Sequence, residues 1–319
     1  MIDFSKCIRT FNKFAGSEKK AAIIYNENVY MIKFPDPPRA LKADFSYKNN
    51  QFSEYVGSHI FDICGFNTQK TELSFINDEK GKRKVVVACK DFTQDGSILY
   101  EFSKFGDAFV DSENDLTTTI EHVYKIIECN TLLLEKQYYI DSFWNMFVID
   151  CLIGNGDRHL NNFGVLVKGS DVKFAPIYDC GSSLGALFTD ERMEQLLTNE
   201  SEFKSKEYNS TSCYSYEGKR VFYHMLFADP PQDLKNAILQ ITPKINMNAI
   251  TSFIESIDCV SAVRKKYMIQ SITIRYEKII LPAYKKQLEK EKENEKATLS
   301  QAELRALYKT QQPTIPRVR

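Results

Sequence analysis

A single tryptophan serves this chain of 319 residues, and several other features are missing altogether. No apolar run approaches the ~20 residues that span a bilayer. The opening Met-Ile-Asp-Phe-Ser-Lys lacks the apolar core of a secretion signal. A cytoplasmic protein is therefore expected, with export by a route that cleaves no signal left open. Acidic and basic residues balance at 42 each, which argues against a chain that coats nucleic acid through bulk charge. None of the eight cysteines stands in a Cys-x-x-Cys pair, so reduced thiols are expected rather than disulfides or zinc. The chain has no internal repeat and no G-x-x-x-x-G-K-[ST] phosphate loop.

Core material is plentiful. The chain is 43% hydrophobic with 22 Phe and 17 Tyr, enough for one large core or two lobes. Up to about residue 95 it reads as strand-rich. Ala21 to Ile24 and Val29 to Phe34 flank Asn26-Glu27-Asn28, a hairpin signal, and Pro35, Pro37 and Pro38 then stop regular structure. Phe52, Val56, His59, Ile60 and Ile63 recur at helical spacing and close near Gly65. Val85 to Ala88 is a continuous apolar run, expected to be a central strand buried on both faces. Beyond Asp91 the chain turns polar and glycine-bearing, like a hinge. From Leu116 onward it reads as mostly helical, ending in a charged helix and disordered tail over residues 285–319. Residues 181–220, rich in Ser, Glu, Asn and Tyr, read equally well as a substrate-docking segment or as a surface loop with one helix at Arg192 to Leu197.

The chemistry concentrates between Cys151 and Asp179. Ile140, Phe143, Trp144, Phe147, Val148, Cys151 and Leu152 predict a buried helix that Gly154 closes. A polar loop follows, with Asp157 five residues before Asn162. Two β-prone runs, Phe163 to Val167 and Val172 to Ile177, then form a hairpin that delivers Asp179. Phosphoryl transfer needs a carboxylate near the acceptor hydroxyl and oxygen ligands for Mg²⁺. The protein-kinase catalytic loop, H-R-D-x-x-x-x-N with a later metal-binding Asp, has the same interval. Asp157 is thus the expected base, Asn162 and Asp179 the expected Mg²⁺ ligands. His159 is expected either to orient the loop or touch the γ-phosphate, or to be a core histidine.

At the nucleotide end the residues alone say less. Phe14-Ala15-Gly16-Ser17-Glu18-Lys19-Lys20 is either a solvated turn or a loop whose backbone amides close over phosphates. Lys33 sits in an apolar strand, where alternation alone would let it face solvent. If Asp157 and Asp179 make a kinase, a strand lysine is required for the phosphates, and Glu54 on the next helix is its candidate partner.

With these pieces in place the chain resembles the HipA-like protein kinases from about Thr10 to Ile280. Ala15-Gly16-Ser17-Glu18-Lys19-Lys20-Ala21 looks like the family's phosphate loop, and Ile32-Lys33-Phe34-Pro35 like its strand-lysine motif. Glu54 lies where the family's helix carries the paired glutamate. Val86-Val87-Ala88-Cys89-Lys90-Asp91 is similar to the hinge strand that holds adenine. Ile153 to Phe163, containing Gly-Asp-Arg-His, is the most specific match, followed by Pro176-Ile177-Tyr178-Asp179. The resemblance implies an α+β, bilobal kinase-like fold. Its small β-rich lobe would span residues 1–91 and its larger helical lobe residues 92–284. It also implies ATP and Mg²⁺ as cofactors, with Gly16, Ser17, Lys20, Lys33, Glu54, Val87, Cys89 and Asp91 around the nucleotide, and a protein Ser or Thr as acceptor. It extends to a short, cell-translocating form of the family, which implies export into host cells.

Two departures stand out. The chain begins near the phosphate loop, without the toxins' extra N-terminal subdomain, so an antitoxin partner is not expected. The serine that the toxins phosphorylate on themselves is Lys13 here, which moves self-phosphorylation to Ser17 or the 181–220 segment. Gly-Asp-Arg-His is shared with phosphoinositide kinases, so a lipid or small-molecule kinase is the rival enzyme, and a nucleotide-binding pseudokinase the rival non-enzyme.

Overall fold

The computed structural model describes residues 1–11, 20–35, 49–77, 81–106, 118–293 and 296. The N-terminal part is a six-stranded sheet built from β1 (Ile2–Asp3), β2 (Ile8–Thr10), β3 (Lys20–Tyr25), β4 (Asn28–Lys33), β5 (Thr71–Asn77) and β6 (Arg83–Lys90). The strand order is β1-β5-β6-β4-β3-β2, antiparallel except where β1 joins β5. Asn26 and Glu27 both take left-handed backbone in the β3–β4 turn, the geometry that lets a two-residue turn follow the strand twist. The apolar run of β6 is central and serves two cores by simple alternation. Val86 and Ala88 pack with Phe4, Ile23 and Ile32 on one face; Val87 and Cys89 join Val56 and Ile60 on the other. Val56 and Ile60 belong to α1 (Asn50–Ile63), whose sequence stripe is the face laid on the sheet.

The larger part begins with β7 (Ile98–Glu101) and the one-turn α2 (Ser103–Gly106). It continues through α3 (Ile120–Cys129), α4 (Lys136–Ile153), β8 (Gly164–Lys168) and β9 (Asp171–Phe174). Next come α5 (Asp190–Thr198), α6 (Glu200–Tyr208), β10 (Thr211–Tyr216), β11 (Lys219–Phe222), α7 (Tyr223–Ala228) and α8 (Gln232–Ile241). The described chain closes with α9 (Met247–Glu255), α10 (Ala262–Arg275) and a π-helical turn (Tyr276–Ile280) that runs on as helix to residue 293. Apolar on nearly every side, α4 is sunk in the main core. The small β-rich part followed by a larger helical part is the bilobal, kinase-like α+β fold.

Three expectations change. The second part is less helical than its sequence suggests, because β10 and β11 form a further hairpin around Glu217 and Gly218, both left-handed. Residues 181–220 are ordered as α5, α6 and β10 rather than a loop with one helix. The catalytic hairpin gains a third strand, since β7 pairs with β8. The chain past the hinge is thereby stitched straight onto the catalytic segment. A second seam joins the lobes: Gln69 N donates to Ile177 O and Ile177 N to Asn67 O, both at 2.8 Å. Among the described residues no helix is long and apolar enough to cross a membrane. All eight cysteines are free thiols.

Candidate active site

Lys33 ends β4 and points inward, not to solvent. Its Nζ lies 2.7 Å from Glu54 Oε2 and 2.7 Å from Asp179 Oδ1, with only 4% of its side chain exposed. Glu54 reaches it from α1 and also accepts the Cys180 amide on Oε1 at 3.1 Å. This approach depends on Gly57, one turn along α1, because a Cβ there would stand 2.7 Å from Cys180 Cβ. Asp179 takes φ +60°, a left-handed conformation that Asp tolerates better than most residues and that clusters at functional sites. Burial raises its pKa, but the Lys33 charge and hydrogen bond, helped by Lys20 and Arg158, hold it down at about 2. Lys20, opposite Lys33 across the β3–β4 ladder, opens a strand instead of lying in the loop before it. Gly16 and Ser17 lie outside the described residues.

The catalytic loop starts where α4 ends. Gly154 closes the helix at φ +64°, and a Cβ there would stand 2.8 Å from the Arg275 guanidinium, which donates through Nε to Leu152 O at 2.9 Å. Asp157 is 46% exposed. Its carboxylate Oδ2 accepts from Ser182 Oγ at 3.2 Å, and its carbonyl accepts from Asn162 Nδ2 at 2.7 Å. His159 is half exposed, with Nε2 4.0 Å from Asp157 Oδ1, so it belongs to the loop surface and not to the core.

Between them Arg158 turns inward. Its guanidinium donates to both Asp150 oxygens, to the carbonyls of Asn162 (2.7 Å) and Tyr178, and to Cys180 Sγ. Burial works against its charge, but Asp150 more than offsets that and raises its pKa. Asn155 completes the knot, donating to Asp150 Oδ1 at 3.0 Å. Arg158 thus ties the Asn162 end of the loop to the residues flanking Asp179, bringing together the two expected metal ligands. Arg158, Asp150, Asn155 and Ser182 escaped the sequence reading. One signal was available: Asp150 is an acid inside the otherwise apolar run Met146 to Ile153 that ends the helix.

At the hinge, Val87 and Cys89 are fully buried and their side chains belong to the core beneath α1. The Lys90 amide donates to Lys70 O and the Asp91 amide to Val29 O. Asp91 Oδ1 accepts from the Thr93 amide and hydroxyl, and its carbonyl from Gln94. These groups shape the turn leaving the sheet, and the Val87 and Cys89 side chains present nothing to a cleft.

Among the described residues no cluster of three His, Cys, Asp or Glu side chains could hold a metal alone. The donor set of one carboxylate and one amide suits Mg²⁺, which is commonly bound through one or two side chains plus substrate phosphates.

Fold and site together define a kinase-like protein, and the chain belongs to the HipA-like C-terminal domain family, whose match covers residues 13–247. It is 34% identical over 296 residues to the serine/threonine-protein kinase CtkA of Helicobacter pylori (strain J99), covering 90% of this chain and 89% of CtkA. The crystal structure of the Helicobacter pylori proinflammatory kinase CtkA superimposes with a TM-score of 0.82 at 32% identity, covering 90% of this chain and 98% of that one.

Proposed function

We propose that this chain is an ATP- and Mg²⁺-dependent kinase that transfers the γ-phosphate to serine or threonine of a protein. The observation that carries the reading is Lys33 Nζ held at 2.7 Å from both Glu54 and Asp179, beside a loop that presents Asp157 and Asn162. Lys33 supplies a point charge for the α/β-phosphates, and Glu54 fixes its position. Asp157, exposed on one side and oriented by Ser182, accepts the proton of the acceptor hydroxyl. Asn162 and Asp179 would hold Mg²⁺, which supplies charge neutralisation at the phosphates.

The segment after Asp179 favours a protein acceptor over a phosphoinositide. Its cations are spent on neighbouring acids: Arg192 on Glu202, Lys204 on Glu200 and Lys206 on Glu207. That leaves no basic cluster there for headgroup phosphates. Self-phosphorylation within Tyr208 to Tyr216 is disfavoured at Ser212 and Tyr214, which β10 buries, with Thr211 and Ser215 as candidates there beside Ser17.

Labelled ATP, Mg²⁺ and a generic protein substrate test the reading. Phosphoserine or phosphothreonine should accumulate, and Lys33→Ala should remove most of it. Transfer only to lipid, or no transfer by folded protein, would overturn it.

A further inference from the structure

β10 begins against the catalytic loop, where a Cβ on Gly156 would stand 3.2 Å from Thr211 O. Its other end borders a cavity of ≈370 Å³ that the site above does not use. Glu121, Tyr124, Lys125 and Glu128 of α3, Trp144 of α4, Tyr216 and Pro231 line it.

The polar tips of two of its rings are already committed. Trp144 Nε1 donates to the Tyr124 hydroxyl at 2.8 Å, which donates to Asp233 Oδ2 at 2.5 Å. Trp144 is fully buried behind Tyr124, so the rings that face a ligand are the partly buried Tyr124 and Tyr216, and an aromatic face attracts cations. Two carboxylates, Glu121 and Glu128, stand in the lining against one cation, Lys125, and Asp233 adds negative charge behind Tyr124. Glu121 is held in place by the Glu217 amide, which donates to Oε1 at 2.6 Å. Aromatic walls with an acidic excess suit a positively charged group carried on an apolar stem.

We propose that this cavity binds a lysine or arginine side chain of the protein substrate, an inference that rests on the kinase reading above. The length of β10 sets the spacing. From Thr211 to Tyr216 the strand advances roughly 17 Å at ~3.3 Å per residue. A peptide lying extended between the two places has its basic residue about five positions from the phosphorylated hydroxyl.

Trp144 is the only tryptophan and is hydrogen-bonded to Tyr124 in the cavity wall, so its emission reports on this cavity without any catalysis. The full chain is titrated with a short peptide carrying one serine and one arginine about five residues away. The control peptide has glutamine in place of that arginine. The arginine peptide should change the emission saturably, and it should bind about tenfold tighter than the control, the size of a partly desolvated cation–π and ion-pair contact. Glu128→Lys, an exposed position, and the milder Glu128→Gln should each erase that preference. Equal binding of both peptides, or a preference that survives in both variants, would overturn the proposal. Tetramethylammonium matching the arginine peptide in affinity would also overturn it, assigning the cavity to small cations. The titration consumes no ATP, so it stands or falls apart from the transfer assay.

Discussion

Asp157 and Arg158 are neighbours in the chain and opposites in the structure. The Asp157 side chain is 46% exposed and its carboxylate accepts one hydrogen bond; the Arg158 side chain is 2% exposed and spends its donors on four residues. On the proposed reading one is left open for a reacting atom; the other is saturated and holds the frame. The same division recurs across the cleft, where Asp179 stays partly exposed while Lys33 and Glu54, which brace it, are buried. The proposed chemistry thus falls on partly exposed groups, and rigidity comes from the buried residues beside them.

Substitutions can break this division from either side. The largest expected effect is Asp179→Asn, chosen because Asn tolerates the left-handed backbone that Ala does not. It should cut transfer by about 10³-fold or more through loss of a metal-binding charge, in a variant that is somewhat less stable but still folded by circular dichroism. Normal transfer by the folded variant would remove Asp179 from the chemistry. Asp157→Asn should follow, lowering kcat by about 10²–10⁴ while nucleotide affinity holds, as for removal of a positioned base. Steady-state kinetics alongside nucleotide titration separate the two effects.

Arg158→Met should act the other way round, through the frame. Stranding Asp150 in the core costs about 3–5 kcal/mol, and Arg158→Met with Asp150→Leu should recover much of that in denaturant unfolding. If the single variant unfolds like the native chain, Arg158 is not a structural residue. The smallest effect concerns pH. Because Asp179 is held at about 2, its pairing with Lys33 stabilises fully above the ordinary carboxylate range and fades only as pH falls toward 2. Burial raises the carboxylates that Lys33→Met leaves unpaired, so the stability gap between the native chain and that variant should begin to narrow above the ordinary carboxylate range and keep narrowing toward pH 2, as read by acid titration of unfolding.

Much of this was legible in the residues. The helix, loop and hairpin from Ile140 to Asp179 follow from apolar spacing, a closing Gly154 and β-prone runs, all local patterns. The Asn26-Glu27 turn and central β6 were equally readable. β10 was not: Thr-Ser-Cys-Tyr-Ser-Tyr looks polar, and only the folded chain shows Ser212 and Tyr214 turned inward. Nor was the inward turn of Lys33, because alternation gives a strand residue a face without saying which face is covered. Arg158 was hidden by its motif, which draws the eye to Asp157 and leaves unstated that Asp150 waits inside α4.

Gly154 carries one more consequence, for inheritance. Its position is closed to other residues twice over, by a backbone turn that disfavours side chains and by the Arg275 guanidinium occupying the space a side chain would enter. A lineage that changed Gly154 would have to move Arg275 as well. Arg275 is also bound to Glu207, so that change would reach into α6. Three positions far apart in the gene are thus expected to drift together or not at all.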